Sequence, residues 1–257
     1  MINSELVFVT KAIVLQDIID VVDYNLAIGF EKITIFNNES FVNFDYFKKY
    51  SNVKVIDIKG FPNQTRLYTE VCKVNMNFAK WICLQDDDET LYIRDYDNVN
   101  EFLEGFNNFA AVSINLKEIS YSKAIYKDLT NRCTITDAVW LNPLDEVRRH
   151  VTTIVRPDFV LHWPTPHIPV FEKGFSVMPD KTAAVGPTGN KICDEASFYH
   201  YALKDYLYYI QKVNRGCADD GRKRYLETWE EYQERIKKTY TVKDTLMREK
   251  YKKVLKL

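Results

Sequence analysis

Four short apolar runs alternate with amphipathic stretches between residues 6 and 84, and this rhythm constrains the fold more than any other feature of the chain. Leu6, Val7, Phe8 and Val9 form the first run, after which Ile18, Val21, Val22 and Leu26 follow at helical spacing and stop at Gly29. Residues 33–36 read as a second strand, 44–50 as a short helix and 53–58 as a third strand. Leu67, Val71, Val74 and Phe78 then mark a helical stripe, and residues 81–84 a fourth strand. Such alternation, with short links and right-handed crossovers, builds an α/β fold with a mixed, mainly parallel sheet flanked by helices. Ligands of such sheets gather beyond the carboxyl ends of the strands, which is where residues 86–89 fall.

The pattern loosens in the second half. Residues 109–116 and 152–155 read as further strands, and residues 163–169 as a loop stiffened by Pro164, Pro166 and Pro169. From Asp219 the sequence turns polar, with Leu226, Trp229, Tyr232 and Ile236, then Leu246, Met247, Tyr251 and Val254, at helical spacing. The expected division is a domain over 1–218, with a donor half to about residue 95 and an acceptor half after it, and a charged helical tail over 219–257. A chain of 257 residues can bury one substantial core.

Charge and cysteine usage narrow the partners. A formal net charge of −1 gives no bulk attraction for nucleic acid, so none is expected. Lys250, Lys252, Lys253 and Lys256 could meet an anionic membrane, but they read as a solvated helix face. The apolar stretch over 6–22 is interrupted by Lys11, Gln16, Asp17 and Asp20, which makes it a strand and helix rather than a signal or anchor. Five scattered cysteines without a CxxC pair fit a reducing compartment, and a cytoplasmic location is expected.

Asp86, Asp87, Asp88 and Glu89 follow one another directly after the fourth strand. Adjacent carboxylates raise one another's pKa unless a cation neutralises them, so substituting Asp88 by Asn should relieve repulsion in the metal-free protein. Mg²⁺ or Mn²⁺ prefers carboxylate oxygen and leaves positions open for phosphate, so Asp86 and Asp88 can hold such an ion against a diphosphate. The other reading is an acidic turn that caps a following helix.

Three further segments carry a family resemblance. Residues 20–30, DVVDYNLAIGF, with residues 35–40, IFNNES, are similar to the helix and strand end that open family 2 and family 92 type glycosyltransferases. Residues 86–89 resemble the acidic DxDE element of those enzymes, and His200, Tyr201 and Lys204, then Lys212, Arg215 and Gly216, resemble their closing segment. Asp20, Val21, Asn25, Thr90 and Asp205 depart from the family pattern. The resemblance implies a GT-A fold, a Rossmann-like architecture for nucleotide-diphospho-sugar transferases, and covers about residues 5–218. It also implies transfer of a sugar from a nucleoside diphosphate, UDP rather than GDP, to a hydroxyl of a glycan, lipid-linked or protein-linked acceptor, with inversion.

Carried over by position, the resemblance implies metal ligation by Asp86, Asp88 and His200, with Mn²⁺ or Mg²⁺ as cofactor. It places Thr10, Lys11, Asn38, Glu39, Gln64, Arg66, Asp86 and Asp87 around the nucleotide sugar, and Lys212 and Arg215 against the leaving diphosphate. His167 in the proline-rich loop is a candidate for donor or acceptor binding, or for a hydrogen bond that braces the loop. An inverting reaction needs a carboxylate base, for which Asp194 and Glu195 are the candidates, with Asp137 behind them. One alternative is a sugar nucleotidyltransferase, which normally carries a glycine-rich loop after the first strand, whereas residues 10–13 contain no glycine. Another is a carbohydrate-binding protein with a degenerate transferase fold.

Overall fold

The computed structural model describes residues 1–60, 64–121, 133–189, 191–215 and 225–257, with Arg215 described by its backbone alone. Strand β1 (Ile2–Thr10) leads into helix α1 (Leu15–Ala27), then β2 (Lys32–Asn38), β3 (Val53–Ile58), α2 (Gln64–Asn75) and β4 (Ala79–Leu84). After the acidic turn come β5 (Glu89–Ile93), α3 (Val99–Glu104), β6 (Ala111–Ser120), α4 (Thr134–Asp137), β7 (Trp140–Leu141), α5 (Asp145–Arg148) and β8 (Val151–Val155). The remainder comprises β9 (Val160–His162), β10 (Val170–Phe171), β11 (Ser176–Val177), β12 (Ala196–Leu203), α6 (Tyr206–Arg215), α7 (Trp229–Thr239), β13 (Val242–Lys243) and α8 (Leu246–Leu255).

The main sheet runs β13-β7-β6-β8-β4-β1-β2-β3, and its β4-β1-β2-β3 portion is parallel. This is the mixed α/β architecture that the alternation implies. β8 joins antiparallel to both β4 and β6, while β12 lies parallel to β6 and antiparallel to β5. Strand β1 is buried because it is central: Leu6, Val7 and Phe8 are all fully covered. Helix α1 packs Ile18, Val21 and Val22 into the same core. It ends where Gly29 takes a φ of +97° and where a Cβ would meet the Asn98 side-chain amide at 2.5 Å, so only glycine suits this position.

Three sequence expectations change. Residues 44–50 form a 3₁₀ turn over Asp45–Lys49 rather than an α-helix. The acidic run is followed by strand β5, which removes the helix-cap reading of residues 86–89. The tail has its two helices, but it also adds β13 antiparallel to β7 and buries Met247 and Tyr251 against the main core. The proposed boundary at 218 falls among residues 216–224, outside the described residues. Among the described residues no helix is long and apolar enough to cross a membrane.

Helix α1 also carries a buried charge system. Asp17 accepts from Lys204 Nζ at 2.7 Å and from Thr134 Oγ1 at 2.7 Å, while Asp20 one turn later accepts from Gln16 at 2.8 Å. Burial pushes the Asp20 carboxyl up to about 6, against the lowering effect of Gln16. An acid whose folded pKa lies above its unfolded 3.8 costs stability once it must ionise. The cost is absent below about pH 4, grows through pH 6 and is constant above it. Asp20→Asn should therefore match wild type near pH 4 and exceed it by about 1–3 kcal/mol at pH 7.5 in urea unfolding. An equal difference at both pH values would show that Asp20 bears no such cost.

Candidate active site

The turn between β4 and β5 projects its carboxylates at the carboxyl edge of the parallel strands. Each acid meets a different element. Asp87 accepts from Thr10 Oγ1, at the end of β1, at 2.5 Å. Asp86 accepts from Gln64 Nε2, at the start of α2, at 2.9 Å, and Gln64 also reaches Tyr68 OH at 2.6 Å. Asp88 is 5% exposed and sits between two cationic groups, with His200 Nε2 3.3 Å from Oδ1 and Lys212 Nζ 2.7 Å from Oδ2.

The strand pairing explains why His200 arrives there. β12 runs antiparallel to β5 with His200 opposite Glu89, and the ladder continues into the turn through Tyr201 N–H donating to the Asp88 carbonyl at 2.8 Å. Lys212 comes from α6, whose first turn is capped by the Asp205 carboxylate accepting from Tyr208 N–H at 2.8 Å. Asp205 stands where the resembled family has Ser; both residue types are good caps, so the departure preserves the helix start.

Electrostatics divide the acids. Burial opposes the charge of Asp88, yet Lys212 and His200 outweigh it and hold the carboxyl well below the usual carboxylate range. Burial also opposes an imidazolium at His200, but Asp88 and Glu89 raise its pKa to about 9. Glu89 behaves oppositely: burial, reinforced by Asp86, pushes it up to about 8. It accepts from Thr152 Oγ1 at 2.9 Å and from Asp86 N–H at 3.3 Å, which makes it the brace of the turn. Asp88 is thus not crowded by uncompensated repulsion, and the expected relief on changing it to Asn is corrected: its charge is already paired.

Asp86, Asp88 and His200 each offer a ligand atom, and these atoms lie within 4.8 Å of one another. Two carboxylate oxygens and an imidazole nitrogen suit Mn²⁺ or Mg²⁺ in donor type. Lys212 pairs with Oδ2 of Asp88 and His200 with Oδ1. The residues present fit a divalent cation.

The other expected residues divide into those near this centre and those away from it. Asn37 pairs with Thr10 across β1 and β2, which brings Asn38 and Glu39 to the same sheet edge as Thr10 and Lys11. Asn38 is buried, whereas Glu39 is exposed with a φ of 53°. Arg66 is exposed on α2, two residues after Gln64 and so on a different side of the helix. The Arg215 side chain lies outside the described residues. His167 Nδ1 bonds the Val151 carbonyl at 3.0 Å, the bracing role considered for it.

The three candidate bases belong to other segments than the acidic turn. Asp194 and Glu195 are exposed at the start of β12, and Glu195 precedes His200 by five residues of extended chain, roughly 16 Å. Asp194 is paired with Arg148 at 3.2 Å. Asp137 belongs to α4, where it accepts from Cys133 N–H at 3.3 Å and from Thr136 Oγ1 at 3.1 Å. Nearness in sequence does not bring Asp194 and Glu195 beside His200, because a strand carries its residues apart.

Thr152 and His150 were missed by sequence reasoning. Their signal was weak, since Thr152 reads as an ordinary strand residue. Lys204 was visible within the closing segment, but its pairing with Asp17, 187 residues away, was not.

No protein-family model matches the chain, and no curated protein sequence does so. Three solved structures align with parts of the chain. The Mycobacterium tuberculosis H37Rv protein Rv0371C in complex with manganese aligns at 10% identity and a TM-score of 0.33, over 44% of this chain and 64% of that one. The chain therefore spans less than two thirds of that relative. A 4-diphosphocytidyl-2C-methyl-D-erythritol synthase from Anaerococcus prevotii DSM 20548 aligns at 10% identity and 0.35, over 61% of this chain and 70% of its own. A second 4-diphosphocytidyl-2C-methyl-D-erythritol synthase aligns at 10% identity and 0.40, over 62% and 78%. At this distance no residue role or substrate passes from them to this chain.

Thr152→Val keeps the shape of the side chain and removes the hydroxyl that donates to Glu89. A stability loss of about 1–2 kcal/mol in urea unfolding is expected, because a buried acceptor loses its partner. Unchanged stability would show that Glu89 does not depend on Thr152.

Proposed function

We propose that this chain is a metal-dependent glycosyltransferase that moves a sugar from a nucleoside diphosphate, UDP in preference to GDP, to an acceptor hydroxyl. The observation that carries the reading is the Asp86, Asp88 and His200 trio at the carboxyl edge of the parallel strands. A divalent cation held there supplies Lewis-acid stabilisation of a departing diphosphate. Lys212 adds a positive charge 2.7 Å from Asp88, in position to bind phosphate oxygen. Thr10, Gln64, Asn38 and Lys11 lie around the same edge and would orient the nucleotide. Residues 1–95 are proposed as the donor half and the later residues to 218 as the acceptor half, with 219–257 as the tail.

The alternative, a sugar nucleotidyltransferase, stands beside this reading. The two 4-diphosphocytidyl-2C-methyl-D-erythritol synthases are nearer to it in name than to glycosyl transfer, although at their structural distance they decide neither. The glycine-free loop after β1 disfavours it, since a phosphate cradle needs close backbone approach. The products separate the two: UDP from a UDP-sugar for glycosyl transfer, pyrophosphate from a nucleoside triphosphate and a sugar phosphate for nucleotidyl transfer.

Asp88→Asn tests the trio. It should lower Mn²⁺-dependent UDP affinity and UDP release from UDP-sugars on the order of 10²-fold, because one ligand charge is lost. It should also destabilise the metal-free protein by about 3–5 kcal/mol, since Lys212 and His200 lose their shared partner. Calorimetric UDP binding with and without Mn²⁺, with thermal unfolding of both proteins, reads the two effects. Undiminished Mn²⁺-dependent UDP binding in the variant would sink the assignment.

A further inference from the structure

Asp194 and Glu195 are exposed ahead of β12 and Asp137 is held in α4, so another base is sought, and two imidazoles lie along the start of β8. His150 and His167 lie with ring centroids 5.7 Å apart, and His150 feels the charges of both His167 and His200. Burial, then those two neighbours, holds His150 below its ordinary value, so it adds no positive charge beside His167 at neutral pH.

His167 is oriented by two bonds to one strand. Its Nδ1 is 3.0 Å from the Val151 carbonyl, and its own carbonyl accepts from Thr153 Oγ1 at 2.7 Å. A carbonyl only accepts, so Nδ1 carries a proton, and Nε2 is the ring nitrogen through which His167 can accept one. Among the described residues no hydrogen bond engages that nitrogen, and the side chain is partly exposed.

The strand that holds His167 flanks the metal-binding turn. β8 runs antiparallel to β4 with Ile154 opposite Cys83, so β8 continues toward its start, Val151, as β4 continues toward the acidic turn. The Thr152 bond to Glu89 shows that the two segments do stay together there. His167 therefore hangs from the backbone next to the turn, on the side of the acceptor half.

The geometry points to His167 as the general base of the transfer, a role that rests on the glycosyl-transfer reading. Nε2 takes the proton of the acceptor hydroxyl while that oxygen bonds to the anomeric carbon. The bond from that carbon to the diphosphate breaks, and the diphosphate leaves with the electron pair. Proton, sugar and charge balance without a further reactant.

The test uses the full chain with Mn²⁺ and UDP-glucose, UDP-galactose or UDP-N-acetylglucosamine, reading UDP release with water as acceptor. In His167→Asn the amide nitrogen can still donate to the Val151 carbonyl, while the basic nitrogen is gone. It should lower kcat by about 10²-fold or more, with KM and Mn²⁺-UDP affinity unchanged. His167→Ala should show the same loss and regain turnover when imidazole is added. The proposal is overturned if His167→Asn keeps wild-type kcat, if its kcat falls only together with UDP affinity, if imidazole fails to rescue His167→Ala, or if the loss appears in His150→Asn instead. A wild-type protein that releases no UDP from any of the three donors removes the glycosyl-transfer reading itself. That outcome is read on the wild type alone and so is distinct from a failure of the base.

Discussion

A carboxylate taken out of water costs several kcal/mol unless it is paired, and the compensation of Asp88 organises much of this molecule. Its partners come from far along the chain: His200 from β12 and Lys212 from α6. The turn that carries Asp88 belongs to the first half of the chain, and both compensating cations belong to the second. The halves therefore close on one another around a single buried charge. The same arrangement brings one ligand atom each of Asp86, Asp88 and His200 within 4.8 Å of one another while Lys212 engages Oδ2 of Asp88.

Neighbouring acids have opposite electrostatics for a physical reason. Asp88 has two cations within hydrogen-bonding reach, whereas the Glu89 carboxyl accepts from the Thr152 hydroxyl and the Asp86 backbone N–H, which are neutral donors. A neutral donor cannot offset the loss of hydration, so Glu89 is pushed to about 8 while Asp88 is held low. One carboxyl keeps the charge near neutral pH and its neighbour gives it up, which is how a run of four acids can stand in one turn.

The C-terminal segment takes part in this construction. Asp244 accepts from Lys117 at 3.1 Å and from Tyr199 OH at 2.9 Å, and Tyr199 directly precedes His200 in β12. β13 extends the sheet edge next to it, while Tyr251 stacks on Tyr24 of α1 at 5.9 Å. The tail is thereby tied to the strand that presents His200 and to the helix that covers β1.

Local pattern alone determined the four strands of the first half, helix α1 and the position of residues 86–89 at the sheet edge, because hydrophobic periodicity reports which face of an element is buried; it marked helix α2 but not its face, since Val74 and Phe78 are exposed and Tyr68, Val71 and Cys72 are buried. The family resemblance, not the local pattern, singled out His200 and Lys212. Other features depended on pairings between distant segments, which no local period records. Residues 86–89 lead into a strand, not a helix, because β12 arrives to pair with β5. Asp194 and Glu195 are removed from the centre because β12 is extended, whereas Thr10, Gln64 and Thr152 reach it because three separate elements end beside the turn. Sequence determined which side chains were available for this chemistry; only the tertiary structure decided which of them meet, since the partners of a buried charge are chosen by how the sheet closes.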